Sequence, residues 1–119
     1  MTIPKFRAWL KDEYRMTDVR EITFFDDEVQ MISDVTDFYT YGEFELMQST
    51  GLIDKNGKEI FEGDIVLIYG EKFSKVFYSQ GSFCVDILNG GTPLHGFSPK
   101  QLEVIGNVWE NKELLEEEE

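Results

Sequence analysis

Apolar residues along this chain come in short alternating or continuous runs, separated by turn-forming residues. Phe6, Ala8 and Leu10 alternate with Arg7 and Trp9, so both faces of this stretch carry apolar character and a partly buried strand is predicted. Lys11-Asp12-Glu13 reads as a turn, and residues 14–19 can return antiparallel. Ile22-Thr23-Phe24-Phe25 is rich in strand-forming types. Asp26-Asp27-Glu28 punctuates it and Val29-Gln30-Met31-Ile32 continues, which suggests a hairpin of undecided turn type. Residues 33–45 lose the pattern and read as a loop with aromatic anchors Tyr39 and Tyr41.

The second half is patterned more strongly. Residues 44–48 resume an extended pattern, and Asp54-Lys55-Asn56-Gly57 follows Thr50-Gly51-Leu52. Asn-Gly between such flanks predicts a type I′ hairpin, whose two central residues both need positive φ. Ile60 and Phe61 precede a second turn at Glu62-Gly63-Asp64. Residues 65–69, Ile-Val-Leu-Ile-Tyr, are nearly all apolar and suit a strand buried on both faces. Residues 75–79 and 82–88 flank Gln80-Gly81 as another hairpin, and residues 89–93 and Ser98-Pro99 form loops. Residues 102–109 make the last strand, with Gly106 a bulge or close-approach site. Residues 111–115 can form one helical turn capped by Asn111, followed by a solvent-facing acidic tail at residues 116–119.

Short strands separated every roughly 8–12 residues by turn signals predict a mainly β protein, a small barrel or sandwich-like domain. An N-terminal strand layer and a short C-terminal helical turn complete it. We expect one domain over residues 1–119: a strand layer and loop at 1–43, a main β body at 44–115, and the tail. The length of 119 residues and the 41% hydrophobic content support one real core.

Charge narrows the function classes. The formal net charge is −13, of which the tail supplies four units, leaving −9 on the rest. Such a field repels phosphate backbones and anionic lipid, and Lys72, Lys75 and Lys100 make only a thin local exception. No apolar run approaches the roughly 20 residues that span a bilayer. The N-terminus shows no secretory pattern, and the single Cys84 offers no internal disulfide, so the cytosol is the expected compartment.

Candidate chemistry is sparse. Asp54-x-Asn56 opens like a calcium loop, but its fifth, sixth and twelfth positions are Lys58, Glu59 and Ile65 where a ligand, Gly and Glu are needed. Glu62-Gly63-Asp64 pairs two carboxylates, which can do acid–base work or hold a hard cation, and which equally serve as ordinary turn acids. His95 is the only histidine, ruling out a three-histidine zinc site within the chain. Cys84 has no basic neighbour in sequence to activate it. No Gly-rich phosphate loop is present. The aromatics Trp9, Phe24, Phe25, Tyr39, Tyr41, Phe61, Tyr69, Phe77, Tyr78, Phe83 and Trp109 lack interleaved Lys or Arg and read first as core, with some left for a subunit interface.

Three blocks carry a family resemblance. They are Lys5-Phe6-Arg7-Ala8-Trp9; Met47-Gln48-Ser49-Thr50-Gly51-Leu52 with residues 54–66, Asp-Lys-Asn-Gly-Lys-Glu-Ile-Phe-Glu-Gly-Asp-Ile-Val; and residues 104–111, Val-Ile-Gly-Asn-Val-Trp-Glu-Asn, followed by Glu113-Leu114-Leu115. In this order they resemble the YopX family, small proteins encoded largely by bacteriophages and prophages. Leu10 stands where the family pattern has Asp, and Lys112 where it has Pro. The resemblance implies a mostly β protein of phage origin, working in the cytoplasm of the bacterial host cell, and no catalytic residue set.

The expected function is a phage-encoded accessory protein without enzymatic activity or cofactor, binding another protein or assembling with itself as a homo-oligomer. The expected binding surface is the middle block: Asp54, Asn56, Gly57, Glu62, Gly63 and Asp64. The alternatives are an acidic DNA mimic that inhibits a host nucleic-acid-binding protein, and a carboxylate-and-metal enzyme.

Overall fold

A computed structural model describes residues 5–87, 91–111 and 113–116. Among the described residues the chain is mainly β, with one short α-helix and two 3-10 helices, Leu94–Gly96 and Pro99–Gln101. The expected loop positions Asn89 and Gly90, together with Lys112 and tail residues 117–119, lie outside the described residues.

The chain forms two compact units, Met1–Gln48 and Ser49–Glu119. In the first, β1 (Phe6–Leu10) pairs antiparallel with β2 (Arg15–Asp18), as the alternation predicts. A second sheet has the order β3-β4-β5, from Glu21–Phe25, Glu28–Ser33 and Phe38–Thr40. The third of these strands lies where the sequence reads as loop. Three residues are too few for a periodic signal, and Tyr39 settles the matter by packing opposite Ile32. Register places Ile22, Ile32 and Tyr39 in one cross-strand row on the same face. Ala8, Leu10, Ile32 and Tyr39 form the buried core of this unit, flanked by Val19, Ile22, Val29, Phe44 and Leu46.

The turn joining β3 and β4 is the two-residue turn with positive φ at both positions, 50° at Asp26 and 67° at Asp27. Asp tolerates this region better than most residues, so no Gly is needed.

The long strand β6 (Phe44–Ile53) carries the chain from the first unit into the second. Its residues 44–48 pair with β1, and residues from Ser49 onward pair with β7 (Glu59–Phe61). The second unit continues through β8 (Asp64–Ile68), β9 (Lys72–Lys75), β10 (Phe77–Ser79), β11 (Ser82–Asp86), β12 (Gly91–Pro93) and β13 (Leu102–Asn107). These form two three-stranded sheets, β13-β8-β9 and β10-β11-β12. The core of the unit is Ile60, Val66, Ile68, Val76, Val85, Leu94 and Leu102. Each such side chain contributes about 1.5–3 kcal/mol through burial.

β8 is buried on both faces as expected, but it ends at Ile68, and Tyr69 turns outward with φ of 56°. The expected strand over 75–79 divides at buried Val76, whose N–H and C=O bond to Asp64 and Gly63 instead of continuing one ladder. Gly91–Pro93 is an edge strand rather than loop, the position where a missing proline N–H does no harm. Gly106 fulfils both expectations: the β13–β8 register shifts beside it, and a Cβ there would lie 2.5 Å from Asn111 Oδ1. The helix α1 (Glu113–Glu116) begins with the Leu114 N–H donating to the Asn111 carbonyl. The Asn111 side chain accepts from the Asn107 N–H and so closes the end of β13.

No helix among the described residues is long and apolar enough to cross a membrane.

Candidate functional site

The middle block is built around hydroxyls and carboxylates turned toward the backbone. The β6–β7 ladder is irregular between Ser49 and Ile53, and side chains take over part of its bonding. Thr50 Oγ1 donates to the Ile60 carbonyl at 2.7 Å and accepts the Leu52 N–H at 3.1 Å. Ser49 Oγ donates to Glu59 and accepts the Gly51 N–H. Short polar side chains compete in this way with regular pairing wherever they lie beside it.

Asp54 is the hub of the block. It is 2% exposed, and its carboxylate accepts three peptide N–H groups, from Asn56 at 2.8 Å, Lys58 at 2.9 Å and Val104 at 2.9 Å. The first two shape the turn, and the third binds that turn to β13, fifty residues away. Burial alone raises the carboxyl pKa. The three N–H bonds and the nearby Lys58 charge outweigh it, so the net shift is downward and Asp54 stays ionised. The turn differs from the expected type I′. Gly57 has φ of 81°, but Asn56 does not enter the positive region. The Gly57 N–H donates to the Asp54 carbonyl, which puts Lys55 and Asn56 at the centre of the turn and Gly57 after it.

The next turn works similarly. Asp64 is 2% exposed, and its Oδ2 accepts the Phe61 N–H at 2.8 Å. The Gly63 N–H and C=O bond to Val76 and Val108. Of the six expected binding residues, Asn56 and Gly57 are exposed, Glu62 and Gly63 are half-buried, and Asp54 and Asp64 are buried. The block therefore presents a turn tip to solvent and commits its best-placed carboxylates to the backbone. Among the described residues, no three His, Cys, Asp or Glu side chains lie close enough to share a metal ion. Cys84 is buried, with its sulfur beside Ser82, while His95 is exposed.

The first unit carries a different kind of surface. Phe24 is 61% exposed and Phe25 67%, side by side on β3, and Val35, Phe38 and Tyr41 are as open. Sequence reading assigns the aromatics first to the core, and for Trp9 and Tyr39 the structure agrees. It reverses the assignment for Phe24 and Phe25, which lie on an edge strand with four of its five residues exposed, and for Tyr41, Tyr69 and Tyr78, which are exposed elsewhere. The signal available in the sequence was the adjacency of Phe24 and Phe25, since neighbours on a strand face opposite sides and a one-faced core can hold only one of them.

Acids surround these aromatics. Residues 21–45 contain eight acidic side chains and no Lys or Arg. Asp34 is held at a pKa of about 2, first by the Thr17 hydroxyl and next by the Thr36 N–H, with the Asp37 N–H adding to them. Arg15 donates to the Tyr39 hydroxyl at 3.2 Å and lies 3.8 Å from Asp34. Lys11 pairs with Glu45 at 3.0 Å. An open hollow of about 460 Å³ is lined by Lys11, Glu28, Val29, Tyr41, Phe44 and Glu45.

The model of the YopX protein family matches residues 5–116. The chain belongs to the YopX family. A crystal structure of protein EF1440 from Enterococcus faecalis is similar to this YopX chain, with a TM-score of 0.79 and 32% identity over 97% of this chain and 99% of that one. No curated protein sequence matches. In the middle block of this YopX chain, the Thr50 hydroxyl and the Asp54 and Asp64 carboxylates bond to the backbone.

Proposed function

We propose that this YopX protein is a phage- or prophage-encoded accessory factor that acts in the bacterial cytoplasm by binding another protein, without catalysing a reaction. One observation carries the reading: solvent-exposed Phe24, Phe25, Phe38 and Tyr41 in a stretch with eight acids and no basic residue. Aromatic side chains supply burial at protein interfaces, and a one-signed field selects and steers the partner. Self-assembly through the same surface is opposed by that field. Binding at the middle block is supported only at its exposed tip, Asn56 and Gly57.

Affinity capture with the tagged protein, from lysate of the bacterium that carries the gene and with and without nuclease, tests the reading. A stoichiometric protein that survives nuclease supports it. Recovery of the bait alone, both from uninduced cells and after prophage induction, rejects it. A nucleic-acid enzyme as the partner, displaced by duplex DNA, would favour the second reading, an acidic DNA mimic.

A further inference from the structure

β3 has the makings of an open pairing edge. It stands at the margin of the β3-β4-β5 sheet, and β4 is its only strand neighbour among the described residues. Its five residues, Glu21–Phe25, give about 17 Å of extended backbone. Ile, Thr and two Phe make it a good strand former, and Phe24 and Phe25 offer apolar surface on both of its sides. Proteins usually blunt such an edge with lysine or proline. Here Glu21 stands at one end of the strand and Asp26, Asp27 and Glu28 at the other, all exposed.

This charge arrangement selects the occupant. A second copy pairing edge to edge would bring two such acidic frames together, in a stretch of eight acids without a basic residue. Like charges placed opposite each other on paired strands are destabilising. A segment with Lys or Arg at alternate positions instead meets opposite charge at both ends of the strand. Its intervening apolar residues share one face and cover one of the two Phe side chains, while the aliphatic stems of its Lys or Arg lie along the other.

We infer that β3 is a docking edge for an extended, basic segment of a partner protein, which adds to the sheet as a fourth strand. The inference rests on the protein-binding reading above and specifies its site and partner chemistry. Main-chain bonds supply affinity in such additions, and the alternating side chains supply specificity.

The test uses the full chain and a fluorescein-labelled ten-residue peptide that alternates Lys or Arg with Val or Ile. Two controls carry Glu at the basic positions, or Pro at alternate apolar positions with the charge kept. The expected result is saturable binding of the basic peptide, at least tenfold weaker binding of the proline peptide, and none of the acidic one. Amide exchange should slow at residues 21–25 on binding. Phe24→Lys with Phe25→Lys should weaken binding at least tenfold with an unchanged circular dichroism spectrum, whereas Tyr78→Lys, at an exposed site on β10, should not. Equal binding of the basic and proline peptides, or exchange protection elsewhere, would mean diffuse charge attraction and overturn the inference. Protection of β3 that grows with protein concentration alone would make a second copy the occupant, with the same consequence. A captured cellular partner that still binds the double Lys variant would sink this edge and leave the protein-binding reading standing. If capture yields no partner, that reading falls whatever the peptide does.

Discussion

Asp54 has exchanged water for three peptide N–H groups, two of them inside its own turn and one on β13. Removing the carboxylate takes the acceptor away from all three N–H groups. Asp54→Ala should therefore destabilise the protein by about 2–4 kcal/mol. Asp54→Asn should cost less, because one acceptor oxygen remains. Urea titrations with a common slope would show the order, and an Asp54→Ala protein as stable as the parent would remove Asp54 from the fold's supports. Asp34 makes a pH prediction. Its folded pKa of about 2 lies below the ordinary 3.8, so its contribution is complete above the ordinary value and is lost as pH falls toward 2. Fluorescence of the first unit should change over that window, and the change should be smaller in Asp34→Asn. Asp54, shifted in the same direction, adds to the loss in the second unit.

At the scale of the element, two turns can be adjusted in opposite directions. The β3–β4 turn holds Asp26 and Asp27 at positive φ, where Asn-Gly is better suited. Asp26→Asn with Asp27→Gly should stabilise the hairpin by about 0.5–1 kcal/mol, read as a higher melting temperature. A lower one would mean that the two carboxylates support the turn in some other way. Gly106 allows no comparable freedom, because a methyl group there meets Asn111 Oδ1, Cγ and Cβ at 2.5, 2.7 and 2.9 Å. The Asn111 side chain would have to leave the Asn107 N–H that it accepts. Gly106→Ala should cost about 1–3 kcal/mol, as overpacking generally does. Pairing it with Asn111→Ala should return much of that loss in a double-mutant cycle.

The molecule as a whole carries −13, and its self-repulsion works against the compact state. Adding sodium chloride from about 20 to about 300 mM shortens the screening length from roughly 20 Å to under 8 Å. The melting temperature should rise by a few degrees over that range, and less in a chain lacking residues 116–119. A falling melting temperature would indicate that the ion pairs Lys11–Glu45 and Lys55–Glu103 outweigh the repulsion. The same field bears on partners, since binding of a basic segment should weaken as salt rises.

The sequence by itself determined the β class, the hairpin at Gln80-Gly81, the doubly buried strand after Gly63 and the role of Gly106. These follow from local terms: strand-forming residue types, turn residues with accessible positive φ, and the period of the apolar pattern. The middle block was legible as turn chemistry, but what its acids do was not. Whether Asp54 faces solvent or Val104 depends on where a strand fifty residues later passes. Only the tertiary structure decided that, and with it the burial of Asp54 and Asp64 as acceptors of backbone N–H groups. It decided the fate of Phe24 and Phe25 likewise. Their residue type predicts burial, but burial needs a neighbouring element, and the sheet order leaves β3 at an edge.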